Sequence, residues 1–111
     1  MPDSERRRVL FVCRQNRMRS ATAERLFCKR SDLDVRSAGT APDALVRVNT
    51  NMLDWAEIIF VMDEEQRLWL ASTFEQHPAL ARIVCLDIPD VFTFLQPELV
   101  RLLEEKVPQH L

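Results

Sequence analysis

The chain alternates between short unbroken apolar runs and stretches with helical spacing. Arg8–Val12 turns apolar after its first residue and runs straight into Cys13, and its β-branched and aromatic content predicts a central strand buried on both faces. Ser20–Arg30 changes period. Ala23, Leu26 and Phe27 recur at i, i+3, i+4, with Glu24, Arg25, Lys29 and Arg30 on the wet side, which predicts a helix. Leu33–Ser37 reads as a second strand ending at Ala38-Gly39-Thr40, and Thr40–Val46 as a loop punctuated by Pro42. Val48–Trp55 predicts a short helix that Asn49 or Thr50 can cap. Glu57–Met62 is a third strand, and Asp63 ends it. Glu64–Phe74 is a helix with acidic residues in its first turn, where the macrodipole favours them. Arg82–Leu86 predicts a fourth strand and Asp87–Leu95 a loop. Gln96–Val107 is a closing helix with Pro97 in its first turn and an inner stripe of Leu95, Leu99, Leu102 and Leu103.

Strands and helices that alternate through short connections predict an α/β fold: a four-stranded parallel sheet flanked by helices on both faces, one domain over residues 1–111. Such sheets bind ligands outside the carboxyl ends of their strands. The Cys13 loop, the Gly39 turn, Asp63 and the Asp87–Asp90 loop each follow a strand, so they are expected to gather at one edge. Gly39 is the only glycine in the chain, which marks this turn as a place of positive φ or close backbone approach.

Composition narrows the class. A chain of 111 residues with 47% hydrophobic and 29% charged residues can bury a core without disulfides or metals. No apolar run approaches the roughly 18–20 residues that span a bilayer. The start, Met1–Arg8, is polar and Val9–Cys13 is too short for a secretory segment, so a cytoplasmic protein without membrane association is expected. Three cysteines, Cys13, Cys28 and Cys85, without Cys-x-x-Cys spacing and with only two histidines, argue against a disulfide framework or a zinc site. No metal or other cofactor is expected. Cys28 and Cys85 read as core, and His77 and His110 as poor candidates for a catalytic base. Residues 1–30 carry nine Lys/Arg against three Asp/Glu, and the remainder six against fourteen. Arg6, Arg7 and Arg8 read as a solvated lead-in to the first strand. Arg14, Arg17 and Arg19 belong to one loop, where a bound phosphate explains them locally. No aromatic residues are interleaved as in single-strand binders, so no nucleic-acid partner is expected.

The chemistry concentrates in Cys13-x5-Arg19-Ser20, a loop of five residues between a strand and a helix. Backbone N–H groups of residues 14–19 can turn inward around one tetrahedral anion, and the positive helix end adds to the same field. The groups that would hold a phosphate also stabilise a thiolate at Cys13. Arg19 can grip two phosphate oxygens through its planar fork. Phosphoryl transfer is the reaction such a site suits.

Cys13-x5-Arg19-Ser20, then Ser37-Ala38-Gly39-Thr40, Val61-Met62-Asp63 and Ile88-Pro89-Asp90-Val91-Phe92, in this order, resembles the low-molecular-weight protein tyrosine phosphatases over roughly residues 8–106, as a short bacterial-type member. The resemblance implies a phosphomonoester hydrolase, in particular a protein tyrosine phosphatase, working through a phosphocysteine on Cys13. Arg19 and the loop amides, with Arg14, Gln15, Asn16, Arg17 and Met18, would bind the substrate phosphate. Ser20 would hydrogen-bond the thiolate, Asp90 would serve as general acid (with Asp87 as the competing acid), and Phe92 would supply an aromatic wall. Asn16 and Ser37 would support the loop, and Asp63 would order the site edge or cap the next helix. The implied partners are a phosphotyrosine protein or a small aryl phosphate, and phosphate, sulfate or vanadate in the loop.

This chain departs from the family pattern in several places. Gln15 stands where glycine is common, Met18 where eukaryotic members carry a second cysteine, and Arg14 and Arg17 where neutral residues are usual. Val91-Phe92 replaces Pro-Tyr, and the stretch from Thr40 to Ala56 is short. Two rival readings are a catalytically weak phosphate-binding or regulatory domain and an arsenate reductase, which would need Cys28 and Cys85 as the second and third thiols of a relay.

Overall fold

The computed structural model describes residues 6–111; the first five residues of the expected domain lie outside the described residues. Four strands, β1 (Arg7–Cys13), β2 (Leu33–Gly39), β3 (Ile58–Val61) and β4 (Ile83–Cys85), form one sheet in the order β2-β1-β3-β4. All three pairings are parallel, with Val12 beside Ala38 on one side and Val61 on the other, and Val61 beside Cys85. The helices are α1 (Arg19–Phe27), α2 (Thr50–Trp55), α3 (Glu64–Thr73) and α4 (Pro97–Lys106).

Two separate apolar layers account for this arrangement. Val9, Phe11 and Cys13 of β1 and Ile58 and Phe60 of β3 face one side, against Ala23 and Phe27 of α1 and Leu99 and Leu103 of α4. Leu10 and Val12, with Ile59 and Val61, face the other, against Leu53 of α2 and Leu70 of α3. Because side chains alternate along a strand, β1 feeds both layers. That is why its run from Val9 to Cys13 is unbroken and fully buried. The expected three-layer sandwich is the observed fold.

Several local expectations need correction. Arg7 and Arg8 belong to β1, not to a solvated lead-in. Arg7 donates to the His110 carbonyl at 3.1 Å and Arg8 Nε to the Trp55 carbonyl at 2.6 Å, while Arg6 pairs with Asp34 at 3.3 Å. Helix α1 stops at Phe27, and Arg82, expected to open the fourth strand, instead ends a 3-10 turn over Pro78–Arg82, with β4 starting at Ile83. That turn is capped by His77, whose Nδ1 accepts from Ala79 N–H and whose Nε2 meets Asp54 at 2.7 Å. Leu95 is not on the inner stripe of α4. It precedes the helix with φ 60°, is exposed, and its N–H donates to Thr22 Oγ1 at 2.9 Å.

The parallel strands put every β-to-α turn at one edge. β2 and β3 lie on opposite sides of β1, so the loops that follow β1 and β3 diverge and leave a crevice between them.

Candidate active site

The loop from Cys13 to Arg19 wraps that crevice. Asn16 turns the chain with φ 60°, a conformation asparagine tolerates better than most residues. Gln15 is not among the positive-φ residues, so its position does not need glycine. The turn aims Asn16 N–H at Cys13 Sγ, 3.2 Å away, and Ser20 Oγ lies 3.0 Å from the same sulfur. Asn16 Nδ2 is shared between Ser20 Oγ at 2.9 Å and Ser37 Oγ at 2.8 Å, and Ser37 donates onward to Glu24 at 2.6 Å. A chain of hydrogen bonds, buried as far as Ser37, thus runs from the sulfur through the loop to β2 and α1. Helix α1 starts at Arg19 behind Met18, which supplies no side-chain cap, so its first-turn amides remain available to a ligand.

Arg19 is 2% exposed and is held from behind. Its NH1 donates to Asp63 Oδ2 at 2.7 Å and to the Ile88 carbonyl at 2.8 Å, and its Nε lies 3.7 Å from Asp90 Oδ1. Anchoring one edge of the guanidinium fixes the plane of the other. Asp63 serves two ends at once. Its carboxylate takes Arg19 and also accepts from Glu65 N–H at 3.0 Å, while Gln66 Oε1 accepts from Asp63 N–H at 2.8 Å, a capping box that starts α3.

Cys13, Arg14, Gln15, Arg17, Met18, Arg19 and Asp90 line a cleft that admits about 40 Å³ of water-sized groups, small enough to hold one tetrahedral anion and little else. The structure brings these together with Asn16, Ser20, Ser37 and Asp63. Phe92 is not among them. It is half-buried against the layer formed with α4 and borders a different groove with Glu98, Arg101, Leu102 and Glu105. Its expected place as an aromatic wall is therefore corrected: Val91, its neighbour, faces solvent instead, 72% exposed. Asp87 also turns away. With φ 54° it accepts a hydrogen bond from Cys85 Sγ at 3.3 Å, which leaves Asp90 as the acid at the cleft from that loop. Burial, outweighing the neighbouring backbone hydrogen bond, pushes the Cys85 thiol up.

Glu24 and Gln66 were not anticipated. Glu24 stands four residues after Ser20 and so shares its helix face, and Asp63-x-x-Gln66 is a capping-box spacing; both signals are present in the sequence. Cys28 is exposed at the far end of α1. Cys85 is level with Val12, two strands from β1, roughly 10 Å at the usual strand spacing, too far for a disulfide with Cys13. Among the described residues, no cluster of three His, Cys, Asp or Glu side chains could hold a metal ion, and no helix is long and apolar enough to cross a membrane.

No protein-family model matches the chain, and no curated protein matches it in sequence. Solved structures do match it in shape. The low molecular weight protein tyrosine phosphatase SP-PTP of Streptococcus pyogenes superposes with a TM-score of 0.76 at 15% identity, covering 95% of this chain and 93% of that one. Vibrio vulnificus Wzb, solved in complex with benzylphosphonate, gives 0.74 at 20% identity, covering 94% and 96%. YwlE arginine phosphatase from Geobacillus stearothermophilus gives 0.69 at 19% identity, covering 93% and 94%. The chain has the fold of these phosphatases over nearly its whole length.

Proposed function

We propose that this protein is a phosphomonoester hydrolase of the low-molecular-weight tyrosine phosphatase type, acting in the cytoplasm, where its thiols stay reduced. The observation that carries the reading is the convergence of Cys13, the anchored Arg19 and Asp90 on one small cleft, with Asn16 N–H donating to the Cys13 sulfur. Cys13 attacks phosphorus as the thiolate, in line with the ester oxygen, and an S–P bond forms as the P–O bond breaks. Arg19 and the loop amides hold the equatorial oxygens as charge spreads over them. Asp90 gives its proton to the departing oxygen. In the second step water attacks the phosphocysteine, Asp90 takes the water's proton, and Ser20 donates to the leaving sulfur. Aryl phosphates, phosphotyrosine among them, suit this sequence because the phenolate is a good leaving group.

The relay an arsenate reductase needs has no support, since neither Cys28 nor Cys85 lies within reach of Cys13. Turnover of p-nitrophenyl phosphate without added metal, inhibited by vanadate, tests the proposal. Cys13→Ser is expected to lose at least about a thousandfold in kcat while still binding phosphate. Unchanged turnover in Cys13→Ser refutes the phosphocysteine route, and phosphate binding without any turnover in the unsubstituted protein favours the regulatory-domain reading.

A further inference from the structure

The cleft accounts for the phosphate, but two of its lining arginines are left over. Arg19 and the start of α1 are positioned to meet the dianion itself. Arg14 and Arg17 are exposed at the rim, and their contacts are weak. Arg14 Nε lies 4.0 Å from Glu65 Oε1 with both side chains largely exposed, and Arg17 NH2 reaches the Asp43 carbonyl at 3.4 Å. Long, exposed contacts of this kind hold a side chain loosely and are readily exchanged for a better partner. None of the acids nearby holds either arginine closely: Glu65 stands at that 4.0 Å distance, Asp43 Oδ2 meets Gln15 Nε2 at 3.4 Å, and Asp90 sits against Arg19.

The rim is also not built to grip a ring. Among the described residues no aromatic side chain lines the cleft, because Phe92 packs towards α4. The exposed apolar side chains there are Met18 in the lining, Leu45, whose N–H donates to the Gln15 carbonyl at 3.1 Å, and Val91 beside Asp90. The cleft is small, so whatever carries that phosphate extends across this mixed basic and apolar rim. A polypeptide fits such a surface; a compact sugar phosphate leaves the apolar part uncovered.

We infer that Arg14 and Arg17 form a second anion subsite that selects phosphopeptides carrying Asp or Glu next to the phosphorylated residue. This rests on the phosphatase reading above and extends it to the substrate's flanks. Selection comes from charge at the rim, with little contribution from the phosphorylated side chain's ring. The same rim disfavours a phosphorylated guanidinium, which would bring positive charge against two arginines.

Binding in the Cys13→Ser background tests this without relying on catalysis. Two phosphotyrosine peptides are compared, one with Asp and Glu at the two positions on either side and one with Ser and Gly there. The acidic peptide is expected to bind about tenfold more tightly at about 0.1 M salt, where the screening length is about 10 Å, and to lose that advantage at about 1 M, where it is about 3 Å. Replacing Arg14 and Arg17 together by Gln is expected to bring the ratio of the two dissociation constants to about one. Equal binding of the two peptides, or a ratio that survives the double substitution, overturns the subsite. Turnover of p-nitrophenyl phosphate by the unsubstituted protein separates the two levels. With turnover present, a flat peptide ratio removes only the subsite; with neither turnover nor vanadate binding, the phosphatase reading falls as well.

Discussion

The most exacting test of the geometry is one methyl group at Gly39. This residue ends β2 with φ outside the left-handed region, so its backbone conformation suits any amino acid. What it lacks is room. A Cβ built there would lie 2.6 Å from the Arg14 carbonyl oxygen, 2.7 Å from Ala44 Cβ and 3.0 Å from Asn16 N. The first and third are backbone atoms of the anion loop, and that carbonyl is already fixed by Ala41 N–H at 2.8 Å. The loop must therefore move. Overpacking of this kind costs about 1–3 kcal/mol. Against that, replacing glycine where the backbone is compatible gains about 0.4–1 kcal/mol through the unfolded chain. The net loss for Gly39→Ala is therefore about 0.5–2 kcal/mol, or roughly 3–10 °C in Tm for a domain of this size. Displacing the Asn16 amide by a few tenths of an ångström also misaligns the donors around Cys13, so phosphate binding is expected to weaken about tenfold. Thermal melts with and without phosphate or vanadate read both effects, since the ligand-induced rise in Tm scales with occupancy. A variant that melts within about 1 °C of the parent and shows the same phosphate-induced rise would refute the claim that this glycine exists for the loop's close approach.

Three further outcomes follow from the same contacts. Asp90→Ala is expected to slow hydrolysis about 10²–10⁴-fold for esters with poor leaving groups and much less for p-nitrophenyl phosphate; an equal loss across a leaving-group series would rule out proton donation. Asp63→Ala strips a partner from the buried Arg19 guanidinium and the cap from α3, for a loss of about 2–4 kcal/mol in urea melts, whereas Asp63→Asn keeps one acceptor oxygen, for Arg19 or for the α3 cap but not for both, and is expected to lose less than Asp63→Ala. Burial raises the Cys85 pKa, so its thiol stays protonated in the fold at a pH where the unfolded chain has begun to ionise; its contribution to stability is full below the unfolded value and fades as pH climbs through the folded one. Alkylation of Cys85 is accordingly expected to lag that of exposed Cys28 at neutral pH and to accelerate only in alkali, as peptide mapping after a brief maleimide pulse would read.

The parts of the fold legible in the sequence are those governed by burial on two faces. β1 and β3 have unbroken apolar runs because each feeds both core layers, and that property survives in a bare string of letters. The elements that moved are the ones whose boundaries depend on partners distant in the chain. Arg7 looks like solvent-facing charge until the His110 carbonyl, 103 residues away, meets it, and no local pattern encodes that contact. Leu95 matches the helical spacing of α4, yet the Thr22 hydroxyl holds its amide outside the helix.

At the site, the loop and its arginine could be read because one short segment carries them, whereas the contacts that orient them come from elsewhere: Asp63 after β3, the Ile88 carbonyl after β4, and Ser37 on β2 relaying to Glu24. Phe92 shows the limit most directly. Its place two residues after Asp90 implied a wall for the cleft, but the turn between them rotates an apolar ring towards the nearest apolar layer, and α4 supplies one through Leu102. Spacing along the chain fixed how far Phe92 stands from Asp90; which way the ring faces was decided by the helix that closes the domain.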